Sequence, residues 1–489
     1  MADRTTQLFK GISIQTLVTF VMGVMEIVVF AVMSRLLSKT DFGYYATLTA
    51  LVSIVASISE AGLGSAVIQK KESSSRHLGT AFTLSVILGF SAAILLAFTA
   101  PLLARLVSDD TIILPMRLMS VMLFLNSIIS IGRGILMRKL KFLTVGIISI
   151  VAYAVSSVIG IVMALHGMGL YAVVGANVLN VFIGALLYLF SPEVKVPKLA
   201  IYKQEAKEVV SFGGWLTLGV ILNNITQQVD KLLLPRLASV TLLGAYNRPA
   251  GFVNTITDKI NGIFDTVLFP MLSGLQDDKQ KVELVFNKAV SLLNSFSVVL
   301  AAIFFFNAEL IITLFFGANW LDLVPVLRII AVSSIFLIDG RLVDCFFRSL
   351  GLVKLGFQLR VVGAVVSFAA VVIGARFGIV GVAIALLIAN VSIILLKVVV
   401  LAIRIDANVW GVLSRLLVAM KSSIPLAVVG VPFVLLVPSP NWLVQSGFAL
   451  LFACVIVYEF LCQPRWIGLE YVNTVYPRLV SLKQKFLKR

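Results

Sequence analysis

Residues 34–45 read SRLLSKTDFGYY, and residues 235–246 read PRLASVTLLGAY. At a shift of 201 positions, Arg35, Leu36, Ser38, Thr40, Gly43 and Tyr45 fall on Arg236, Leu237, Ser239, Thr241, Gly244 and Tyr246. Each stretch follows one long apolar segment and precedes another. Each is therefore the link between the first and second helices of a repeated unit. A looser echo places Pro115, Arg117, Gly132-Arg133 and Arg138 in the same order as Pro325, Arg328, Gly340-Arg341 and Arg348. Gly169-Leu170 and Gly378-Ile379 open the sixth helix of each half. Six is an even number, so both halves enter the membrane from the same side. They are parallel repeats, related by an axis along the membrane normal.

The composition demands a membrane. Of 489 residues, 60% are apolar and only 13% charged, and the mean hydropathy is +1.04. A soluble chain carries roughly 25% charged residues. This deficit excludes a soluble multidomain enzyme and a disordered or fibrous chain. A bilayer core takes about 20 apolar residues as helix. On that measure helices are expected at 12–34, 41–62, 79–100, 112–134, 144–165 and 169–190. After a polar connector come 211–234, 244–270, 288–310, 323–348, 355–376 and 379–403, then 420–438 and 442–462. The expected fold is an all-α integral membrane protein of about fourteen helices. Span 244–270 is unusually polar, and 420–438 contains Pro425 and Pro432. Without those two, twelve helices remain. The expected organisation is an N-lobe (1–190), a cytoplasmic interfacial linker (191–210), a C-lobe (211–403), and two added helices with a basic tail (404–489).

Charge orients the chain. Its net charge of +17 arises from 40 Lys and Arg against 23 Asp and Glu. With the N-terminus in the cytoplasm, five basic residues fall in outer loops, eight inside helices and 27 on the inner side. That asymmetry is the positive-inside pattern. It places both termini in the cytoplasm and accounts for the net charge without nucleic acid. Basic stretches such as Arg133, Arg138, Lys139 and Lys141 also suit anionic headgroups. No phosphate-binding G-x-x-x-x-G-K occurs, so ATP hydrolysis through that loop is excluded. Cys345, Cys454 and Cys462 lie in or beside apolar stretches, and His77 and His166 stand apart, so neither a disulfide framework, a metal site nor a cofactor is expected. The stretch from Ile12 to Met33 is too long for a cleavable signal.

Ionisable groups inside a bilayer require a partner or water. Helix eight carries most of them. Arg248, Asn254, Thr255, Asp258, Lys259, Asn261 and Asp265 occupy an arc of about 160° at helical periodicity. Such an arc on a spanning helix favours a wet cavity. The competing reading is a polar seam against helix seven, which offers Asn223, Asn224, Gln227, Gln228 and Asp230. Pro249-Ala-Gly251 is expected to break the start of helix eight. In helix one, Glu26 is either protonated and inert, paired with a base, or a proton or cation site. Its repeat mate is Gln227. In helix ten, Arg341, Asp344 and Arg348 at i, i+3 and i+7 are expected to form an ion ladder along one face. It would act as an interhelical lock, with an inner gate as the alternative.

SRLLSKTDFGYY, EAGLGSAVIQ (60–69), RKLKF (138–142), DKLLLPRLASVTLLGAYNRPAG (230–251) and FPMLSGLQ (269–276) together resemble the multidrug/oligosaccharidyl-lipid/polysaccharide exporter superfamily. Within it they resemble the polysaccharide transporters, the Wzx-type flippases of O-antigen, capsule and colanic acid. The likeness covers roughly residues 5–405. It implies a fold like that of the MATE exporters. It also implies flipping of an undecaprenyl-pyrophosphate-linked oligosaccharide from the inner to the outer leaflet of a bacterial inner membrane by alternating access. Implied partners are that lipid, membrane lipids, a coupling ion (H+ or Na+), and a polymerase with other polysaccharide-assembly proteins. Under this resemblance Arg248 and Lys259, about 16 Å apart along one face, would contact the pyrophosphate at different depths or at different stages of transport. Asp258, Asn254, Thr255, Asp265 and Gln227 would line the same path, and Glu26 and Asp230 would couple a cation or proton. Lipid II flippases resemble one another through arginines in helices one and two, and helix two here has none. A multidrug exporter remains open through Glu26, although the basic intramembrane set favours an anionic cargo. A membrane glycosyltransferase or polymerase would need a large outer loop with catalytic acids, which is lacking.

Overall fold

The computed structural model describes residues 2–60, 75–107, 109–194, 200–202, 224–225, 228–275, 278–411, 414, 423–436 and 442–462. Among them the chain is helical throughout, with no strand. It divides into two compact units, Met1–Ala245 and Tyr246–Arg489.

The first unit contains α1 (Ala2–Leu36), α2 (Lys39–Glu60), α3 (Ser75–Val107), α4 (Ile113–Arg138), α5 (Phe142–Leu165) and α6 (Leu170–Leu189). Helical residues 228–237 form α7. α4 packs between α3 and α6, α5 packs on α6, and α1 packs on α5. Leu48, Leu96, Met116, Met119, Leu123, Leu170 and Val174 are buried where these helices converge. Large side chains such as Phe20, Phe98 and Val158 point outward instead. In water so much exposed apolar surface would drive aggregation, whereas in a bilayer it is the lipid-facing side.

The second unit contains most of α8 (Val240–Ser273), then α9 (Lys279–Phe306), α10 (Val324–Ser349), α11 (Val353–Gly374) and α12 (Gly378–Arg404). α13 (Ile424–Leu436) and α14 (Trp442–Cys462) follow. α10 packs between α9 and α12, and α11 packs on α12. This is the pairing of α4 with α3 and α6, and of α5 with α6, displaced by six helices. The repeat read from short motifs is thus also a repeat of packing. Phe286 and Phe346 cross edge to face, with ring centroids 4.9 Å apart, and set α9 against α10. α13 and α14 add Leu426, Phe448 and Phe452 to a separate cluster with Val299 and Ala302 of α9.

Among the described residues, eight stretches are long and apolar enough to cross a membrane, and one of them, Val353–Arg404, contains both α11 and α12. Two shorter apolar helices, Ile424–Val434 and Leu443–Tyr458, follow. The chain is a multi-pass membrane protein. Two local expectations fail. α8 runs unbroken through Pro249-Ala-Gly251, because a proline removes a single donor from the helical ladder and the turns on either side of it continue. α9 begins nine residues before the expected position 288. Asp278 caps it by accepting the Lys281 N–H at 3.1 Å, and Val282 and Phe286 already bury their side chains there.

The repeated motif has a defined local structure. Ser38 caps α2: its Oγ accepts the Asp41 N–H at 3.1 Å, while the Asp41 carboxylate accepts the Ser38 N–H at 3.0 Å. This reciprocal arrangement satisfies two donors that the helix start leaves open. The mate Ser239 caps α8 by accepting the Leu242 N–H at 3.1 Å. Leu242 cannot reciprocate. The two caps lie side by side, with Thr40 Oγ1 2.8 Å from Thr241 Oγ1. Gly43 and Gly244 let the backbones approach. A Cβ on Gly43 would lie 1.9 Å from the Val240 carbonyl oxygen, and one on Gly244 1.7 Å from that of Lys39. This close packing is why the first turn of α8 belongs to the first unit.

Candidate functional site

The second unit brings the ionisable side chains of α8, α10 and α12 together. On α8, Arg248, Asn254, Thr255 and Lys259 are half-buried and Asp258 is exposed. The Thr255 hydroxyl donates to the Gly251 carbonyl at 2.8 Å, turning one polar group of the arc back onto its own helix. Asn261 is buried, and its Nδ2 has no hydrogen-bond partner among the described residues. Of Asp265 only the backbone is described, and Gln227 lies outside the described residues, as do most of 191–210 and everything beyond Cys462.

The expected ladder on α10 does not form rung to rung. Arg341 donates to the Asp258 carboxylate on α8. Asp344 instead accepts both of its hydrogen bonds from Lys397 Nζ on α12, at 3.0 and 3.1 Å. Arg348, one turn on, donates through Nε to the Asp344 backbone carbonyl at 3.3 Å. The three residues share a stripe by spacing, yet the helices packed on either side of that stripe supply the counter-charges. α10 is thus tied to α8 by one ion pair and to α12 by another.

The two pairs differ in environment. The side chains of Arg341 and Asp258 are 42% and 54% exposed, whereas those of Lys397 and Asp344 are 10% and 23% exposed. Lys397 lies on the apolar face of α12, between buried Ile394, Val398 and Leu401. Core packing carries it inward, and Asp344 is the charge that makes its burial tolerable. In the sequence Lys397 is one of the eight basic residues inside helices, with nothing to mark its role. Its partner lies 53 residues away, at no helical spacing. Asp339 was missed altogether. It stands on α10 at 3% exposure, and its Oδ1 is buried without a hydrogen-bond partner among the described residues.

Glu26 and Asp230 belong to the first unit, on α1 and α7. A separate polar cluster joins α2 to the loop before α4. Asp109 accepts the Thr111 N–H at 2.9 Å and the Thr111 hydroxyl at 2.5 Å, capping a single 3-10 turn, and also accepts the Tyr44 hydroxyl. These donors, Thr111 first, hold the Asp109 carboxyl below the usual range. The hydrogen bond from Lys141 does the same for Glu193 in the loop after α6.

Residues 32–325 match the polysaccharide biosynthesis protein family. Over 395 residues the chain is 23% identical to the lipopolysaccharide biosynthesis protein WzxC of Escherichia coli strain K12, spanning 80% of this chain and 79% of that one. It is 23% identical over 336 residues to the teichuronic acid biosynthesis protein TuaB of Bacillus subtilis strain 168, spanning 68% and 70%. It is 24% identical over 362 residues to the succinoglycan biosynthesis transport protein ExoT of Rhizobium meliloti strain 1021, spanning 72% of each. Among solved structures, the lipid II flippase MurJ in an inward closed conformation superposes with a TM-score of 0.70 at 14% identity, covering 91% of this chain and 98% of that one. An inward-facing multidrug transporter of the MATE family superposes with a TM-score of 0.62 at 16% identity, covering 82% and 95%. At such identities the two superpositions speak for the fold alone. The chain therefore belongs to the polysaccharide biosynthesis protein family, and its fold is that of the multidrug/oligosaccharidyl-lipid/polysaccharide exporter superfamily.

Proposed function

We propose that the chain is a flippase and no enzyme, moving an undecaprenyl-pyrophosphate-linked oligosaccharide from the inner to the outer leaflet of a bacterial inner membrane. The observation that carries this reading is the polar arc of α8, with Arg248 and Lys259 half-buried on it, in a chain of the polysaccharide biosynthesis family. Relatives are described as lipopolysaccharide, teichuronic acid and succinoglycan biosynthesis or transport proteins. For this chain the cargo class in keeping with those descriptions and with the basic residues of α8 is an anionic, lipid-linked glycan precursor.

Arg248 supplies a planar, bidentate contact to a phosphate, and Lys259 a point charge. Asn254, Thr255, Asp258, Asp265 and Gln227 line the same path. Glu26 and Asp230 couple transport to a proton or cation. Arg341, with Asp344 and Arg348, forms a gate, and the Arg341–Asp258 pair links that gate to the arc. Lobes of residues 1–190 and 211–403, joined by 191–210, alternate access to the two leaflets, with both termini in the cytoplasm.

Proteoliposomes holding a short undecaprenyl-pyrophosphate glycan test the proposal. Transfer is scored by access of an external enzyme to the glycan, for the wild type beside Arg248→Ala plus Lys259→Ala. The expected result is transfer by the wild type and its loss in the double variant. Equal transfer by both would remove α8 as the anion site. Failure of the wild type across several glycans and imposed ion gradients would remove the flippase reading itself.

A further inference from the structure

Asp339 stands on α10, beside a buried apolar cluster of the second unit. Ile338, Leu342 and Val343 around it are buried in one apolar cluster with Val290 and Leu293 of α9 and Ile394 of α12. The side chain is 3% exposed, and Oδ1 lacks any hydrogen-bond partner among the described residues.

Among the described residues, no charged group of the neighbouring helices is paired with Asp339. α9 carries Lys279, Lys281, Glu283 and Lys288 in its first three turns and nothing charged thereafter. α11 carries Lys354 and Arg360, and α12 carries Lys397 and Arg404. The short helix Ala308–Ile311 carries Glu309, and the 3-10 turn Ala318–Leu323 carries Asp322. α10 itself carries Arg328, Arg341, Asp344 and Arg348. Lys397 is engaged by Asp344 and Arg341 by Asp258. None of these groups forms an ion pair or hydrogen bond with Asp339 among the described residues.

A bare carboxylate removed from water with no partner costs more than its protonation does at neutral pH. We propose that Asp339 is a proton-binding site, holding a proton while α9, α10 and α12 are packed as described. The proton leaves to water only when these helices part enough to hydrate the carboxyl, and it returns when they close. One proton is thus taken up and released per cycle of opening, at a position separate from Glu26 and Asp230. Proton binding here is independent of the cargo, so it stands or falls separately from the flippase reading.

The test uses the purified full chain in nanodiscs, comparing wild type with Asp339→Asn by infrared difference spectroscopy at neutral pH in sodium-free buffer. The expected result is a protonated-carboxyl C=O stretch in the wild type that the variant lacks. A difference spectrum showing carboxylate stretches instead would overturn the proposal, as would loss of the acid band on adding sodium at constant pH, which would make the ligand a metal cation. Thermal melting from neutral to alkaline pH gives an independent reading. The wild-type midpoint is expected to fall by several degrees relative to Asp339→Asn. Parallel curves would overturn the proposal. So would a variant that cannot fold, since a neutral isostere must fit where a neutral acid sits.

Discussion

Thr40 and Thr241 occupy the same place in the two halves of the sequence, and their hydroxyls touch at 2.8 Å. One turn further along, Gly43 and Gly244 bring the backbones of α2 and α8 into direct contact. Replacing either glycine with alanine leaves no room that a side-chain rotation can supply, since the obstacle is a carbonyl oxygen. Gly43→Ala and Gly244→Ala should each destabilise the protein by about 1–3 kcal/mol, the usual cost of overpacking. Thr40→Val should cost no more than about 0.5 kcal/mol, because Thr241 is exposed and water can take the place of the lost partner. Thr40→Val with Thr241→Val should cost less than the two single changes summed, which thermal unfolding in detergent will measure.

Lys397 and Asp344 should behave as a buried pair. Lys397→Met or Asp344→Leu alone leaves an uncompensated charge and should cost about 3–5 kcal/mol. The double substitution should recover most of that loss. Additive single effects in the unfolding measurement would argue against the pair.

Arg341 and Asp258 should behave in the opposite manner. Their side chains are about half exposed, so breaking the pair should cost under about 1 kcal/mol of stability. If the gate reading holds, Arg341→Gln and Asp258→Asn should nonetheless change leaflet transfer. The charge swap Arg341→Asp with Asp258→Arg should restore it in the proteoliposome assay.

Asp109 predicts a response to acid. Its carboxyl is held below the usual range by hydrogen bonds from Thr111 and Tyr44. Its stabilising effect is complete above the ordinary aspartate range and is lost as pH falls through the depressed folded value. The melting temperature should drop on acidification in the wild type and drop less in Asp109→Asn. At neutral pH that variant should keep the cap through its amide oxygen and differ from the wild type by less than about 1 kcal/mol.

The positions of the described helices and the repeat of a six-helix unit were legible because span length and hydropathy are properties of consecutive residues. The start of α9 was not, because Lys279 and Lys281 read as loop although Val282 and Phe286 pack inward from the first turns. The arc of α8 was legible from periodicity alone. The partners of α10 were not. Spacing put Arg341, Asp344 and Arg348 on one stripe, but helix packing decided that Asp258 and Lys397 would answer them. Asp339 escaped for a related reason. One carboxylate two residues from an arginine looks paired in a string of letters, and only burial shows that it is not. The motif likewise established that Gly43 and Gly244 are equivalent, while their contact required coordinates.

A residue that touches its own repeat mate stands where an axis residue stands in a symmetric dimer. In such a dimer a single mutation alters both sides of the contact at once. Once the two copies are fused in one chain, each side can change alone. Asp41 makes a reciprocal cap and Leu242 makes none, yet glycine stands on both sides. Within this one patch the halves therefore agree at the glycines, whose backbones touch the mate's helix, and differ at the cap residues, whose bonds stay within their own helix.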